Sequence, residues 1–277
     1  MLLRVARMVP AQGRLMFCGP ILLIALVCAG IPGMLAPYDP YSIDPVAILS
    51  VPSFIHPLGT DELGRDILSR IIFGARISLG VAVGATSIAA AVGVTIGCVI
   101  SYTGGRLENL AMRVIDVFVC LPEIFIAILA VAIFKPDVQT LILTIGFIYF
   151  PQFARVAHNV TAAIKHREYV LSARSLGASR GWIVCNEILP NILPIVIVQI
   201  SLSLSLAMLL EAALSFLGLG IAPPTPSWGQ MIGSLKDYIF NAPWCVAMPS
   251  FVLMLVVLAL NVAGDLLQDA FTPEARH

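Results

Sequence analysis

Apolar runs of bilayer length recur along the chain, separated by polar stretches of unequal length. A helix needs about 20 apolar residues to cross the hydrocarbon core of a membrane. Runs of that order cover residues 15–38, 77–105, 114–134, 138–154, 188–210 and 238–264, the last expected to begin near Trp244. The third is interrupted by Asp116 and Glu123, and the fourth is short but bounded by Asp137 and Arg155. The alternation of barrel strands is absent, so the pattern predicts an all-α membrane protein with six transmembrane helices.

Composition points the same way. Of 277 residues, 59% are hydrophobic and 12% are Asp, Glu, Lys or Arg, about half the charged share of soluble domains. A soluble globule of this length cannot hide so much apolar surface in one core. Sixteen basic residues balance sixteen acidic ones, which leaves no electrostatic footprint for a nucleic acid. Cys18, Cys28, Cys98, Cys120, Cys185 and Cys245 lack the spacing of a zinc site or disulfide framework and read as packing residues.

Charge also orients the bundle. With the N-terminus in the cytoplasm, eleven of the sixteen basic residues fall on inside segments, so both termini are expected inside. Arg4, Arg7 and Arg14 precede the first apolar run as they would in a cleaved signal. That run exceeds a signal core and five more follow, so it reads as a retained anchor. The resulting organisation is a cytoplasmic N-terminus with the first span (1–36), an outside segment (37–76), a five-span core (77–265) and a cytoplasmic tail (266–277). Within the core lies an inside loop, residues 155–187, rich in basic side chains.

Chemical motifs are few. No H-E-x-x-H or G-x-x-x-x-G-K-[ST] pattern occurs, so no catalytic residue, metal site or nucleotide site is expected on this chain. Gly177-Ala178-Ser179-Arg180 mimics a nucleophile motif, but no histidine is placed to activate Ser179 and a turn explains it better. Gly80/Gly84 and Gly93/Gly97 form two small-residue pairs for close helix packing, inside the bundle or against another subunit. Ionisable groups within spans mark cavities or partners. Asp116 is expected to snorkel or pair with Arg113. Glu123 lies about 10 Å deeper at 1.5 Å per residue and follows Pro122, which can kink the helix. Glu123 and Glu211 are the candidates for lining a transport path. A buried structural hydrogen bond competes for each, and leads for Glu211.

The inside loop is the most informative stretch. From Glu168 to Ala178 it reads E-Y-V-L-S-A-R-S-L-G-A. Tyr169, Ala173 and Leu176 recur at helical spacing on one semi-apolar face, and Gly177 stands where a helix stop in left-handed conformation is expected. Such a segment is either a solvated connector or a piece built to dock on a partner.

The pattern E-Y-V-x-x-A-x-x-x-G-A, followed by Ile188-Leu189-Pro190-Asn191, resembles the "EAA" loop of ABC-importer permeases. It departs from the usual form in carrying Tyr169-Val170 where alanines are common. Three more stretches resemble the peptide and nickel branch of that family. They are the run from His56 to Asp66 with Ser69-Arg70, the run from Glu211 to Gly220, and Pro223 to Gly229 with Asn261 and Gly264-Asp265 later. The likeness covers residues 56–265 in the family's order and is nearest to the C-type permease of dipeptide, oligopeptide or nickel importers.

The resemblance implies a type I ABC-importer permease fold in the bacterial inner membrane. It implies three kinds of partner: a second homologous permease, cytoplasmic ATPase subunits that bind ATP and Mg, and an extracytoplasmic substrate-binding protein. Glu168, Tyr169, Ala173, Leu176, Gly177 and Ala178 would then form the coupling helix. Small peptides are the first expected cargo, and nickel or another small solute the next. The alternative is an ATP-independent channel or secondary transporter, whose usual half-to-half repeat is not visible.

Overall fold

A computed structural model describes residues 11–271; Arg4, Arg7 and residues 272–277 of the expected tail lie outside the described residues. The elements are α1 (Ala11–Gly30), α2 (Pro32–Leu35), α3 (Ile67–Thr103), α4 (Gly105–Cys120), α5 (Glu123–Ile133) and α6 (Val138–Ile164). Then come α7 (Glu168–Ser175), α8 (Arg180–Ile183), a π turn (Val184–Ile188), α9 (Leu189–Phe216), α10 (Trp228–Leu235) and α11 (Pro243–Phe271). No β-strand occurs among the described residues.

The centre of the bundle is the pair α3 and α6, and they run parallel. Gly84 faces Ile142, Gly93 faces Phe150 and Ala154, and Gly97 faces Ala154 and Ala157. A Cβ at Gly93 or Gly97 would collide with the backbone carbonyl of Phe150 or Ala154, so these glycines set how closely the two backbones approach. The second small-residue pair therefore works within this chain. Ala82, Ala85 and Ala89 of α3 and Leu141, Ile145, Tyr149 and Phe153 of α6 are fully enclosed beside it.

Two parallel helices need a return crossing between them, and α4 and α5 supply it. The expected single helix over 114–134 is instead a pair bent by 88° at Leu121–Pro122. Proline lacks the N–H of a helical turn and drives the residue before it out of the α region. Leu121 (φ −76°, ψ 134°) and Pro122 (φ −61°, ψ 126°) are accordingly extended. Asp116 pairs not with Arg113 but with Arg155 of α6, at 2.5 Å. Five helices are long and apolar enough to span a membrane, and α4 and α5 pass the same test when their two halves are counted together as one span.

α3 starts ten residues before its charge-free run because Arg70 in its outer turns is buried and paired, while Arg76 stays exposed. Asp66 caps it, accepting from the Ser69 backbone at 2.8 Å and the Ser69 hydroxyl at 2.7 Å. Arg70 is buried yet satisfied by Asp61 at 3.4 Å, the Pro40 carbonyl at 3.1 Å and Gln230 at 3.2 Å. Asp61 also holds Arg65 at 2.6 Å. Burial, reinforced by the Asp61 charge, pushes the neighbouring Glu62 carboxyl up from its ordinary range. This web fixes the outer segment and α10 onto α3. α9 packs on α3, α11 packs on α9, and α1 closes the far side through the Arg14–Asp269 pair at 2.7 Å.

Candidate coupling helix and transport path

α6 continues to Ile164, ten residues past its expected end, so the inside loop is shorter and stiffer than its sequence suggested. From it α7 emerges as a two-turn helix. Glu168 in its first turn and Arg174 in its last both complement the helix dipole. Its end is fully built: the Ala178 N–H donates to the Ala173 carbonyl and the Gly177 N–H to the Arg174 carbonyl, each at 3.1 Å. This double closure requires a left-handed residue after the helix, and Gly177 has φ +86°. No neighbouring atom lies within 4 Å of where a Gly177 Cβ would stand, so the backbone angle alone selects glycine.

The helix shows two faces. Val170 is 1% exposed and anchors α7 to the bundle, with Ala173 and Ala178 packed half-buried beside it. Tyr169 and Leu176 point away, and Leu176 is 89% exposed. The expected single face of Tyr169, Ala173 and Leu176 is therefore divided between the bundle and the outside. Sequence reading missed Val170. Its spacing of three from Ala173 was the available signal, since that alternative stripe is the more compact one. Ser179 is a helix cap, its hydroxyl accepting from the Trp182 N–H at 3.3 Å, which disposes of the nucleophile reading.

Glu123 occupies the first turn of α5, beside the break at Pro122. Its side chain is exposed on this chain, and its carboxylate accepts from the Tyr149 hydroxyl of α6 at 3.2 Å. A cavity of about 30 Å³ between Glu123 and Gln152 adds a second polar group to the same spot. The break thus brings the Glu123 carboxylate beside a phenol and an amide of α6. Tyr149 as the partner was not legible, being 26 residues away on another helix.

Glu211 has a different setting. It is wholly buried, and its carboxylate accepts from Ser215 and Ser227 at 2.9 Å and from Ser78 at 3.3 Å. The Ser78 hydroxyl accepts in turn from the Trp228 N–H at 3.1 Å, and Ser227 caps α10. One carboxylate therefore ties α3, α9 and α10 together. Its placement is internal, as the structural hydrogen-bond reading expects.

Comparison with known proteins bears on the whole arrangement. Residues 91–277 match the family described as "Binding-protein-dependent transport system inner membrane component". The chain is 36% identical over 266 residues to the dipeptide transport system permease protein DppC of Alkalihalophilus pseudofirmus, covering 96% of this chain and 88% of that one. It is 38% identical over 275 residues to the di/tripeptide transport system permease protein DppC of Pseudomonas aeruginosa, covering 96% and 89% respectively. The glutathione transport system permease protein GsiD of Escherichia coli is 36% identical over 255 residues, covering 92% and 84%. Among solved structures, an inward-facing form of the MetNI methionine ABC transporter shares the fold with a TM-score of 0.62. Identity there is 19%, over 74% of this chain and 97% of that one. By motif order, helical architecture and these matches, the chain belongs to the family of inner-membrane components of binding-protein-dependent transport systems, as a permease subunit of a bacterial ABC importer.

Proposed function

We propose that this chain forms half of the path by which small peptides cross the inner membrane, paired with a second homologous permease subunit. Cytoplasmic ATPase subunits bind ATP and Mg and dock on α7, and an external binding protein delivers the cargo. The observation that carries this reading is α7 itself. It is anchored by Val170, stopped by Gly177, and presents Tyr169 and Leu176 outward with nothing of the described chain to cover them. A rigid helix held this way passes a push from a partner into α6 and α9, between which it is strung. The peptide cargo rests on the printed names of the relatives, dipeptide and di/tripeptide permeases. In this reading Glu123, exposed at the broken crossing, meets the charged amino end of a peptide or a water-filled path beside the second permease.

The test is reconstitution of the chain with its partner permease, ATPases and binding protein in vesicles. Dipeptide uptake should require ATP and the loaded binding protein, and the lone chain should give no uptake above empty vesicles. Robust uptake by the lone chain would favour the ATP-independent alternative.

A further inference from the structure

At the inner end of α3, two cavities share a wall made of Tyr102, Thr103 and Arg180. One, of about 420 Å³, is an apolar groove between α3 and the turn into α9, lined by Val94, Cys98, Val99, Val184 and Leu189. Its far side is the π turn, a widened helical geometry that often accompanies a functional surface. The other, also about 420 Å³, is polar and basic, lined by Lys165, His166, Arg174 and Arg180 without any acidic side chain. Lys165 donates to the Ser101 carbonyl at 2.8 Å and has Glu108 at 3.9 Å. Arg174 and Arg180 form no ion pair among the described residues.

We propose that this composite site holds one anionic phospholipid of the inner leaflet, its phosphate among the cations and an acyl chain in the groove. Three observations carry the proposal. Charge complementarity is the first, since basic pockets at the cytoplasmic ends of spanning helices recruit anionic headgroups. Dimension is the second. From Val94 to Thr103 the groove follows α3 for about 14 Å at 1.5 Å per residue, close to one leaflet of a hydrocarbon core about 30 Å thick. Continuity is the third: the apolar part opens into the basic part through shared residues, as a molecule with a tail and a charged head requires. Because Arg174 lies on α7, the lipid would touch the coupling helix on the face turned from the ATPase.

The test uses the assembled importer, purified and studied by native mass spectrometry after exposure to phosphatidylglycerol, phosphatidylethanolamine or inorganic phosphate. Phosphatidylglycerol should be retained in preference to phosphatidylethanolamine, and inorganic phosphate should not displace it. Each charge removed by Arg180→Gln or Lys165→Gln should weaken retention by about fivefold. Gly181→Leu is the second arm. A side chain there meets open space on the groove wall, so it should fill the tail site, keep every charge, leave assembly intact and still abolish retention. Four results would overturn the proposal: equal retention of both lipids, wild-type retention by Gly181→Leu, displacement by inorganic phosphate alone, or binding only after the ATPase is stripped away.

Discussion

Arg14 near the start of α1 and Asp269 near the end of α11, 255 positions apart, form an ion pair of 2.7 Å. The pair puts both ends of the described chain on one side of the bundle. An even number of crossings follows, so the bent α4–α5 pair must carry the chain across. The parallel register of α3 and α6 requires the same return independently. Phosphatase fusions give the check: a fusion after Thr103 or Phe271 should be inactive and one after Lys135 active. Equal activity at Thr103 and Lys135 would make α4–α5 a re-entrant hairpin.

Gly93→Leu and Gly97→Leu should each unseat α6 from α3. The added side chain meets a backbone carbonyl, which cannot move aside alone, and overpacking of this kind costs about 1–3 kcal/mol or more. Melting of the purified complex in detergent should fall sharply for both. The control Gly80→Leu, whose side chain would enter open space, should melt near wild type.

Two carboxylates should separate assembly from transport. Glu211→Ala strands three serine hydroxyls in a buried site, at about 1–3 kcal/mol per unsatisfied group, so the complex should fail to accumulate. Glu123→Gln loses one hydrogen-bonded charge beside Tyr149 and should assemble normally but change uptake rate or peptide preference. Quantities of intact complex and initial uptake rates, measured side by side, decide the matter. Parallel behaviour of the two variants would contradict the assignment.

How much of this was legible depended on the reach of each interaction. Apolar runs located the spans because crossing a bilayer is a local demand on about 20 consecutive residues. The start of α3 was hidden because Arg70 is satisfied by Pro40 and Gln230, partners that only the fold assembles. Pro122 announced a kink, but its size depends on how α4 and α5 pack against α6. Gly177 was legible since its φ is a property of one residue. The hub around Glu211 was not, because its serines lie at 78, 215 and 227 on separate elements.

Val170→Asp should detach α7 from the bundle by burying a charge in place of an enclosed side chain. Ala173→Arg should do the same in milder form, because Ala173 packs half-buried against the bundle rather than facing outward. Tyr169→Ala, by contrast, should leave α7 seated and weaken only its grip on the ATPase. Protease protection of the inside loop should drop for Val170→Asp and Ala173→Arg. It should stay unchanged for Tyr169→Ala, whose ATPase should co-purify in reduced amount. Identical protection in all three would mean that the two faces of α7 are not distinct.

The central claim is that α7 transmits the ATPase stroke, and Gly177→Val tests it most directly. Valine at φ +86° is strained by about 1–3 kcal/mol. Relief by fraying would open the double closure onto Ala173 and Arg174, which holds Leu176 in place. The spans are untouched, so the complex should still insert and assemble. ATP hydrolysis stimulated by the loaded binding protein and peptide uptake are then compared in the purified variant and wild type. The account predicts that both fall to the unstimulated level; normal stimulation with normal uptake would contradict it and leave this segment a mere connector.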